Sequence, residues 1–549
     1  MSPGRHGVRA PLLWLLLPLI VGLTAGRLIA APPRLLLAAA ALAITAATAC
    51  AWSRRAWARR LWPLPLTAAV AAAGMAYFHL RFDRPAAWDR LPPREAELVL
   101  RVRSIFSPPA GVRRISGLAV VAGTAPHLHD LVGERLYFSC SLPPAAPPPI
   151  RSSEIAVVGV LQRLPRRPAD DSFAAYLVNA GLAFQFTRGR LIRETAPPSA
   201  YQTFCHAAAK RFHSILGAGL EDHPMLAAIL RAMMLGQTQE LDEDQKGLFM
   251  RSGTLHLFAI SGQQITVIAL SLQSILLLLR VPRVPAAAIS LAALWFYVDV
   301  TGSSPSAVRA FLMCGLFIIA YAVRLAGSIF SGLVASALIV LAVDPAALFS
   351  ASFQMSYGIV TALLLLGVPL AGTMQERWPI HSDLPEASWR WRHRRAAAAW
   401  RWFLGLLGVG LATSLASTLT AIQFFHLFTP GALLANLVLI PMSSLIIAAG
   451  FASLLFGLAG WLPASILFNH AGGVLLRLME ILLRQTTSLQ GLFVPARFRP
   501  AWLGAAGLAA LLAVCLAGSA WRWRRERGGF WPPFLFVAVL LCFGVRFGP

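Results

Sequence analysis

Runs of apolar residues close to twenty long recur through this chain from Leu12 to Phe547, and a helix needs about 20 such residues to cross a hydrocarbon core. Only helices and closed barrels satisfy their backbone polar groups in lipid, so the recurrence restricts the fold to a polytopic α-helical membrane protein. Composition agrees: 57% of the residues are hydrophobic and 13% charged, against about 25% charged in a globular domain. One cleaved signal sequence does not account for so many runs.

The runs cover residues 11–30, 35–52, 64–82, 254–279, 284–301, 306–324, 328–343, 347–370, 402–426, 431–459, 463–483, 501–520 and 530–547, about thirteen spans. Between the second and third lies SRRAWARR, whose four arginines mark the cytoplasmic side of a bacterial plasma (inner) membrane. The third span then delivers the chain outside, so residues 83–253 are expected to be extracytoplasmic. Alternation from Gly253 puts Arg280, Arg283, the long basic loop 371–401 and WRWRRER at 521–527 inside, as the rule demands. Arg484, Arg497 and Arg499 fall on the wrong side, so charge does not settle the stretch 460–500. The net charge of +25 reads first as this topology signal and second as a path for a polyanion; both can hold.

Five segments divide the chain. Residues 1–82 form an N-terminal membrane segment of three helices. Residues 83–200 differ in kind, being proline-rich with period-two alternation: Leu98, Leu100 and Val102 alternate with Glu97, Arg101 and Arg103. Further candidate strands are Ile115 to Val121, Arg135 to Ser141, Ile155 to Leu161 and Phe184 to Ile192, which predict a small β-barrel, an OB-like barrel being one form. Residues 201–252 read as amphipathic helices, with Asp222 and Asp242 as caps, lying on the membrane surface or packed as a soluble pair. Residues 253–490 form the membrane core and 491–549 the C-terminal membrane helices. Cys140 and Cys205 flank the non-membrane segment and either pair in an oxidising compartment or stay as free thiols.

No enzyme is expected. Neither lysine, Lys210 or Lys246, follows a glycine, so there is no P-loop; Ser261 in AISGQ lacks the first glycine of a hydrolase elbow; HLHD at 127–130 fits a surface turn better than a metal site. No cofactor or metal is implied. What remains is a set of polar residues inside apolar runs, in GTLHLFAISGQQITVIAL at 253–270 and TGSSPSAVRAFLMCGL at 301–316. Arg309 at a helix centre would cost about 2.5–3.5 kcal/mol on insertion scales, so it must face a protein interior, a partner such as Asp299, or water. Any one Ser or Gly reads as a helix-packing residue. The cluster His256, Ser261, Gly262, Gln263 and Gln264 favours a polar lumen or a broken helix.

The string GTLHLFAISGQQITV resembles the signature of the ComEC family of competence DNA-uptake channels. Three further elements follow in that family's order: TGSSPSAVRAFLM, DPAALFSASFQMSYGIVTALLLL at 344–366 and ANLVLIPMSSL at 435–445, with LRAMMLGQTQELDEDQKGLFMRSG as lead-in and DSFAAYLVNAGLAFQF at 171–186 like the end of its extracytoplasmic domain. The resemblance implies an inner-membrane channel for single-stranded DNA in natural transformation. It implies as pore candidates His256, Ser261, Gly262, Gln263, Gln264, Asp299, Ser306, Arg309, Gln354, Ser356 and Asn436. Candidates for contacting DNA outside are Arg101, Arg103, Arg113, Arg114, Phe106, Tyr137 and Phe138. The partners implied are single-stranded DNA, the lipid bilayer and other competence proteins: an outer DNA receptor, a cytoplasmic helicase or strand-binding protein, and a separate nuclease, because this chain shows no metallo-β-lactamase-like segment. Gln264 departs from the family, which commonly has a second histidine there. A secondary transporter of a small molecule or lipid, or a non-conducting scaffold, is the alternative reading.

Overall fold

A computed structural model describes residues 10–82, 88, 92–106, 113–143, 147–166, 172–251, 254, 257–325, 328–382, 385, 388–487, 494–523 and 529–548; the candidate His256 lies outside them. Helices α1 (Leu13–Leu28), α2 (Pro33–Trp52), α3 (Ala56–Leu61) and α4 (Pro63–Phe82) open the chain. α1 and α4 meet at glycines: a Cβ on Gly22 would stand 2.1 Å from the Ala71 carbonyl oxygen, so only glycine permits the approach.

All five expected strands form: β1 (Arg94–Phe106), β2 (Arg114–Thr124), β3 (Arg135–Ser141), β4 (Glu154–Arg163) and β5 (Phe184–Ala196). They close a barrel in the order β1-β2-β3-β5-β4, with β3 and β5 parallel and the other pairs antiparallel. Alternation drives the closure, since Leu98, Leu100, Val102, Leu136, Phe138 and Phe186 all fill the interior. Gly159 and Gly189 let two strands touch, a Cβ on the first standing 2.7 Å from the Cα of the second. A short helix α5 (Phe173–Asn179), capped by Ser172, covers one outer wall.

Beyond the barrel come α6 (Ala200–Gly217), α7 (Pro224–Leu235) and α8 (Glu243–Arg251). Asp242 caps α8, accepting from the Gln245 backbone N–H at 2.6 Å, as expected. Asp222 does not cap α7: Pro224 sets the helix start and His223 takes the cap position, one residue later than foreseen. α7 lies on no surface, because nine of its twelve residues are buried; Met234 packs against Gly450.

The remaining helices are α9 (Gly262–Leu278), α10 (Arg283–Val300), α11 (Pro305–Ala322), α12 (Ile329–Val343), α13 (Ala351–Ala362), α14 (Val368–Arg377), α15 (Trp391–Phe425), α16 (Ala432–Leu458), α17 (Leu462–Thr487), α18 (Trp502–Ala520) and α19 (Trp531–Gly544). Every apolar run read from the sequence thus holds a helix. Among the described residues nine helices are long and apolar enough to cross a membrane, and α1, α7, α9, α12 and α19 are shorter apolar ones. The chain is a multi-pass membrane protein carrying a barrel. α15 starts eleven residues before the expected span, at Trp391, because WRHRR and the Ala396–Ala399 run after it contain no helix breaker and much helix former. In the stretch 460–500 the arginines have local roles. Arg484 pairs with Glu480 at 2.7 Å. Arg497 lies in β7 (Val494–Phe498), which joins β6 (Leu427–Phe428) and β8 (Val545–Phe547) in a small sheet at the helix ends.

Both cysteines flanking the barrel are free and buried. Burial pushes the Cys140 thiol up to about 12, against a smaller opposing pull from Arg114.

Candidate functional site

Three groups of polar side chains stand out, two inside the bundle and one joining it to the barrel. The first surrounds the start of α9. Ser261 is its cap, and the Gln264 side chain accepts the Ser261 backbone N–H while donating to the Met233 carbonyl of α7. Gln264 is 1% exposed, and these bonds pin the helix start. Its neighbour Gln263 reaches across to α16, donating to the Ile440 carbonyl at 2.9 Å and to Ser443 and Ser444 at 2.8 Å. Pro441 lies in the same turn and removes one backbone donor from α16. Gly262 is exposed at the helix start, and Asn436 is half-buried on α16 without a side-chain partner among the described residues.

The second group centres on Arg309. Pro305 opens α11 and the Ser304 hydroxyl caps it, accepting from Ala307 at 3.3 Å and lying 3.1 Å from the Ser306 hydroxyl. One turn on, the Arg309 Nη2 donates to the Ser352 carbonyl at 2.8 Å and to the hydroxyls of Ser352 and Ser356, the latter at 3.1 Å. The residue is 4% exposed, its Nε is buried without a partner, and no carboxylate pairs with it among the described residues. Of the surroundings open to Arg309, it takes the protein interior, and Asp299 is engaged instead by a barrel arginine. Gln354, on the α13 that supplies these hydroxyls, donates to the Leu348 carbonyl at 3.2 Å and so braces a turn.

The third group is that barrel contact. Arg151 donates to Asp299 at 2.8 Å and to the Ser303 hydroxyl, while Tyr201 donates to the other Asp299 oxygen at 2.9 Å. Burial and this acceptor both push the Tyr201 phenol up. Asp299 therefore fastens the barrel to the bundle. Two more ties lie nearby: Arg135 to Asp344 at 3.1 Å, and Arg27 to Asn179 at 2.8 Å with its guanidinium over Phe349.

On the barrel, register sorts the remaining candidates. Phe138 points inward and is fully buried, so it offers no face to a base. Arg101 is engaged by Glu154 at 2.6 Å and Arg113 by the Pro143 carbonyl at 3.1 Å; Arg103 is exposed at the β1 bulge. Tyr137, Ser139 and Ser141 face outward along β3. Arg114 donates to Ser139 at 2.8 Å, and Arg114 and Arg190 flank Ser141 in register. Phe106 stacks on Tyr137 at 6.2 Å, Phe173 meets Tyr137 edge-on at 5.0 Å, and Tyr176 stacks on Phe173 at 5.9 Å. Phe173 and Tyr176 are 51% and 58% exposed. The wall is thus a strip with guanidinium groups at one end and aromatic rings at the other, the rings running toward the bundle. Sequence reading missed Arg190, Phe173, Tyr176, Ser352 and Ser443, and also the half-buried hydroxyls of Thr413, Ser414 and Ser417 on α15, whose three- and four-residue spacing on an apolar helix was the available signal.

A helical membrane bundle with internal polar clusters and a closed barrel docked on one end defines a class of multi-pass membrane proteins with an appended barrel domain. More narrowly, the family model described as "Competence protein" matches residues 233–524, more than half of the chain, and the chain belongs to that family. It is similar to ComE operon protein 3 of Bacillus subtilis (strain 168), with 29% identity over 142 residues, which is 26% of this chain and 18% of that protein. The match therefore spans less than a fifth of the curated relative's length. No solved structure matches.

Proposed function

We propose that the chain is the inner-membrane conduit through which single-stranded DNA enters a bacterium during competence, acting without catalysis of its own. The barrel faces the outside and the basic loops the cytoplasm. Its strand order, with the one parallel pair at β3 and β5, supports an OB-type reading, and its outer strip suits phosphates at the end with Arg114 and Arg190 and bases at the end with Tyr137 and Phe173. From there the strand passes between helices bearing the polar clusters.

One observation carries this reading: Arg309 is a fixed positive charge inside an apolar bundle, held by neutral oxygens and without a counter-ion among the described residues. A guanidinium so placed is costly unless an anion visits it. An anion entering an inside-negative cell works against about 2.3 kcal/mol per charge per 100 mV, so the drive comes from elsewhere: an outer receptor feeding the strand and a cytoplasmic motor or strand-binding protein pulling it.

The test is Arg309→Gln in a transformable host, with membrane insertion verified by fractionation. Loss of a charge-assisted bond worth about 1.5–3 kcal/mol predicts roughly a 10- to 100-fold fall in entry of labelled strand into the cytoplasm. Arg309→Lys keeps the charge and should fall less. Undiminished entry with Arg309→Gln removes the residue from the path and the reading with it.

A further inference from the structure

The end of the bundle away from the barrel carries a surface that the polar clusters and the barrel wall leave unused. α15 is 35 residues long, about 52 Å at 1.5 Å per residue, whereas the hydrocarbon core is about 30 Å thick and the whole bilayer about 40–45 Å. The surplus lies at its first turns. α15 packs antiparallel on α14, with Gly408 against Ala371 and the Gln375 amide donating to the Arg401 carbonyl at 2.8 Å. α13 leads into α14 from Asp344 and the barrel contact, so α15 begins at the opposite end.

From Trp389 to Trp402 the sequence holds five arginines, four tryptophans and no acidic residue. Arg390, Arg392, Arg394, Arg395 and Arg401 are all exposed, and none is paired with a carboxylate among the described residues. Trp391 is 61% exposed, and the guanidinium carbons of Arg395 and Arg392 lie 5.0 Å and 5.5 Å from the centre of its ring. Trp402 opens the apolar part of the helix, eleven residues and about 16 Å further along. A headgroup layer occupies only about 5–7 Å per leaflet, so on a helix standing along the bilayer normal Trp391 extends beyond the headgroups. Trp400, Trp402 and Phe403 hold the interfacial level where aromatic belts form.

We propose that the first turns of α15 are a binding surface for single-stranded nucleic acid, with Arg392, Arg394 and Arg395 on phosphates and the Trp391 face under a base. The proposal rests on the conduit reading and extends it to the far mouth. Charge alone would also suit an anionic lipid or an acidic protein. The reach of Trp391 beyond the headgroups argues against lipid; the Arg392 and Arg395 guanidiniums that lie over its ring would turn to phosphates and give the ring face to a flat base, which an acidic side chain would not fill.

The test uses the full chain in nanodiscs of neutral lipid, carrying Arg114→Gln and Arg190→Gln to silence the barrel wall, with a fluorescent oligothymidylate as probe. Affinity is measured across a salt series. Replacing Arg392, Arg394 and Arg395 with Gln should weaken binding and lower the slope of log affinity against log salt by about 2, at roughly 0.7 per phosphate contact. Trp391→Ala should weaken binding about tenfold with the slope unchanged. Replacing the same arginines with Lys should restore the slope, which excludes a folding defect. Unchanged affinity and slope in the Gln variant overturn the proposal. So does a variant that alters only attachment to nanodiscs containing anionic lipid, which would assign the surface to the membrane. Failure of the conduit reading appears separately, as undiminished strand entry with Arg309→Gln, and leaves this binding measurement intact.

Discussion

Arg151 and Asp299 show what single side chains do here. The Asp299 carboxylate is almost fully buried, with 4% of its side chain exposed, while Arg151 is 32% exposed, so the pair lies between a buried and a surface salt bridge. Arg151→Ala strands a buried carboxylate that still has Tyr201 and Ser303 as donors. The expected loss is about 1–3 kcal/mol, below the 3–5 kcal/mol of a fully buried pair. The double variant Arg151→Ala/Asp299→Asn should lose clearly less than the sum of the singles, with about 1 kcal/mol or more of coupling in thermal unfolding of the solubilised chain; additive losses would mean that the contact does not fasten the barrel. The same pair marks the limit of sequence reading. Asp299 and Arg309 were legible as polar residues in apolar runs, but the partner of Asp299 lies 148 residues upstream and that of Arg309 43 residues downstream. No local pattern carries such information. The capping role of Gln264 was hidden for a related reason: an i to i+3 cap looks, in sequence, like one more polar residue in an apolar run.

At the scale of elements, the break between α13 and α14 has an identifiable cause. The turn Leu363–Gly367 is a π-helical widening, and two residues after it stands Pro369, which has no N–H to give the Leu365 carbonyl. The indole N–H of Trp523 supplies the missing donor at 2.9 Å. Trp523 is buried, stacks on Phe530 at 5.2 Å and so ties the end of α18 to the kink. Trp523→Phe should destabilise the chain by about 1–3 kcal/mol, the penalty for a buried acceptor left unpaired. Adding Pro369→Ala restores a backbone donor and should recover part of that loss; a double variant worse than Trp523→Phe alone would rule this account out. Apolar length made the helices legible, and alternation made the five strands legible. The kink was invisible because its stabilising donor comes from a distant turn. α5 was invisible because seven residues are too few to show a helical period. The start of α15 was misjudged because hydropathy reports where lipid ends and helix propensity decides where a helix ends, and there the two differ by eleven residues.

For the molecule as a whole, three ties from the barrel go to one end of the bundle: Arg151 to Asp299 at the end of α10, Arg135 to Asp344 after α12, and Asn179 to Arg27 at the end of α1. The basic start of α15 projects from the other end. A strand conduit requires these two ends to lie on opposite sides of the membrane. Cysteine labelling decides it, and the native thiols set its design. Cys140, Cys205 and Cys515 are buried, and the raised Cys140 thiol stays protonated and unreactive at neutral pH; the exposed Cys542 and the half-buried Cys50 and Cys314 are replaced by Ser. In that background Arg103→Cys, on the exposed β1 bulge, should react with an impermeant maleimide in intact spheroplasts. Arg395→Cys should react only after the membrane is opened, since the conduit reading has its helix enter the bilayer from the cytoplasmic side. If both label in intact spheroplasts, or neither does, the barrel and the α15 extension share a side. The bundle then returns the chain to the face it started from, and no strand met by the barrel could leave past Trp391.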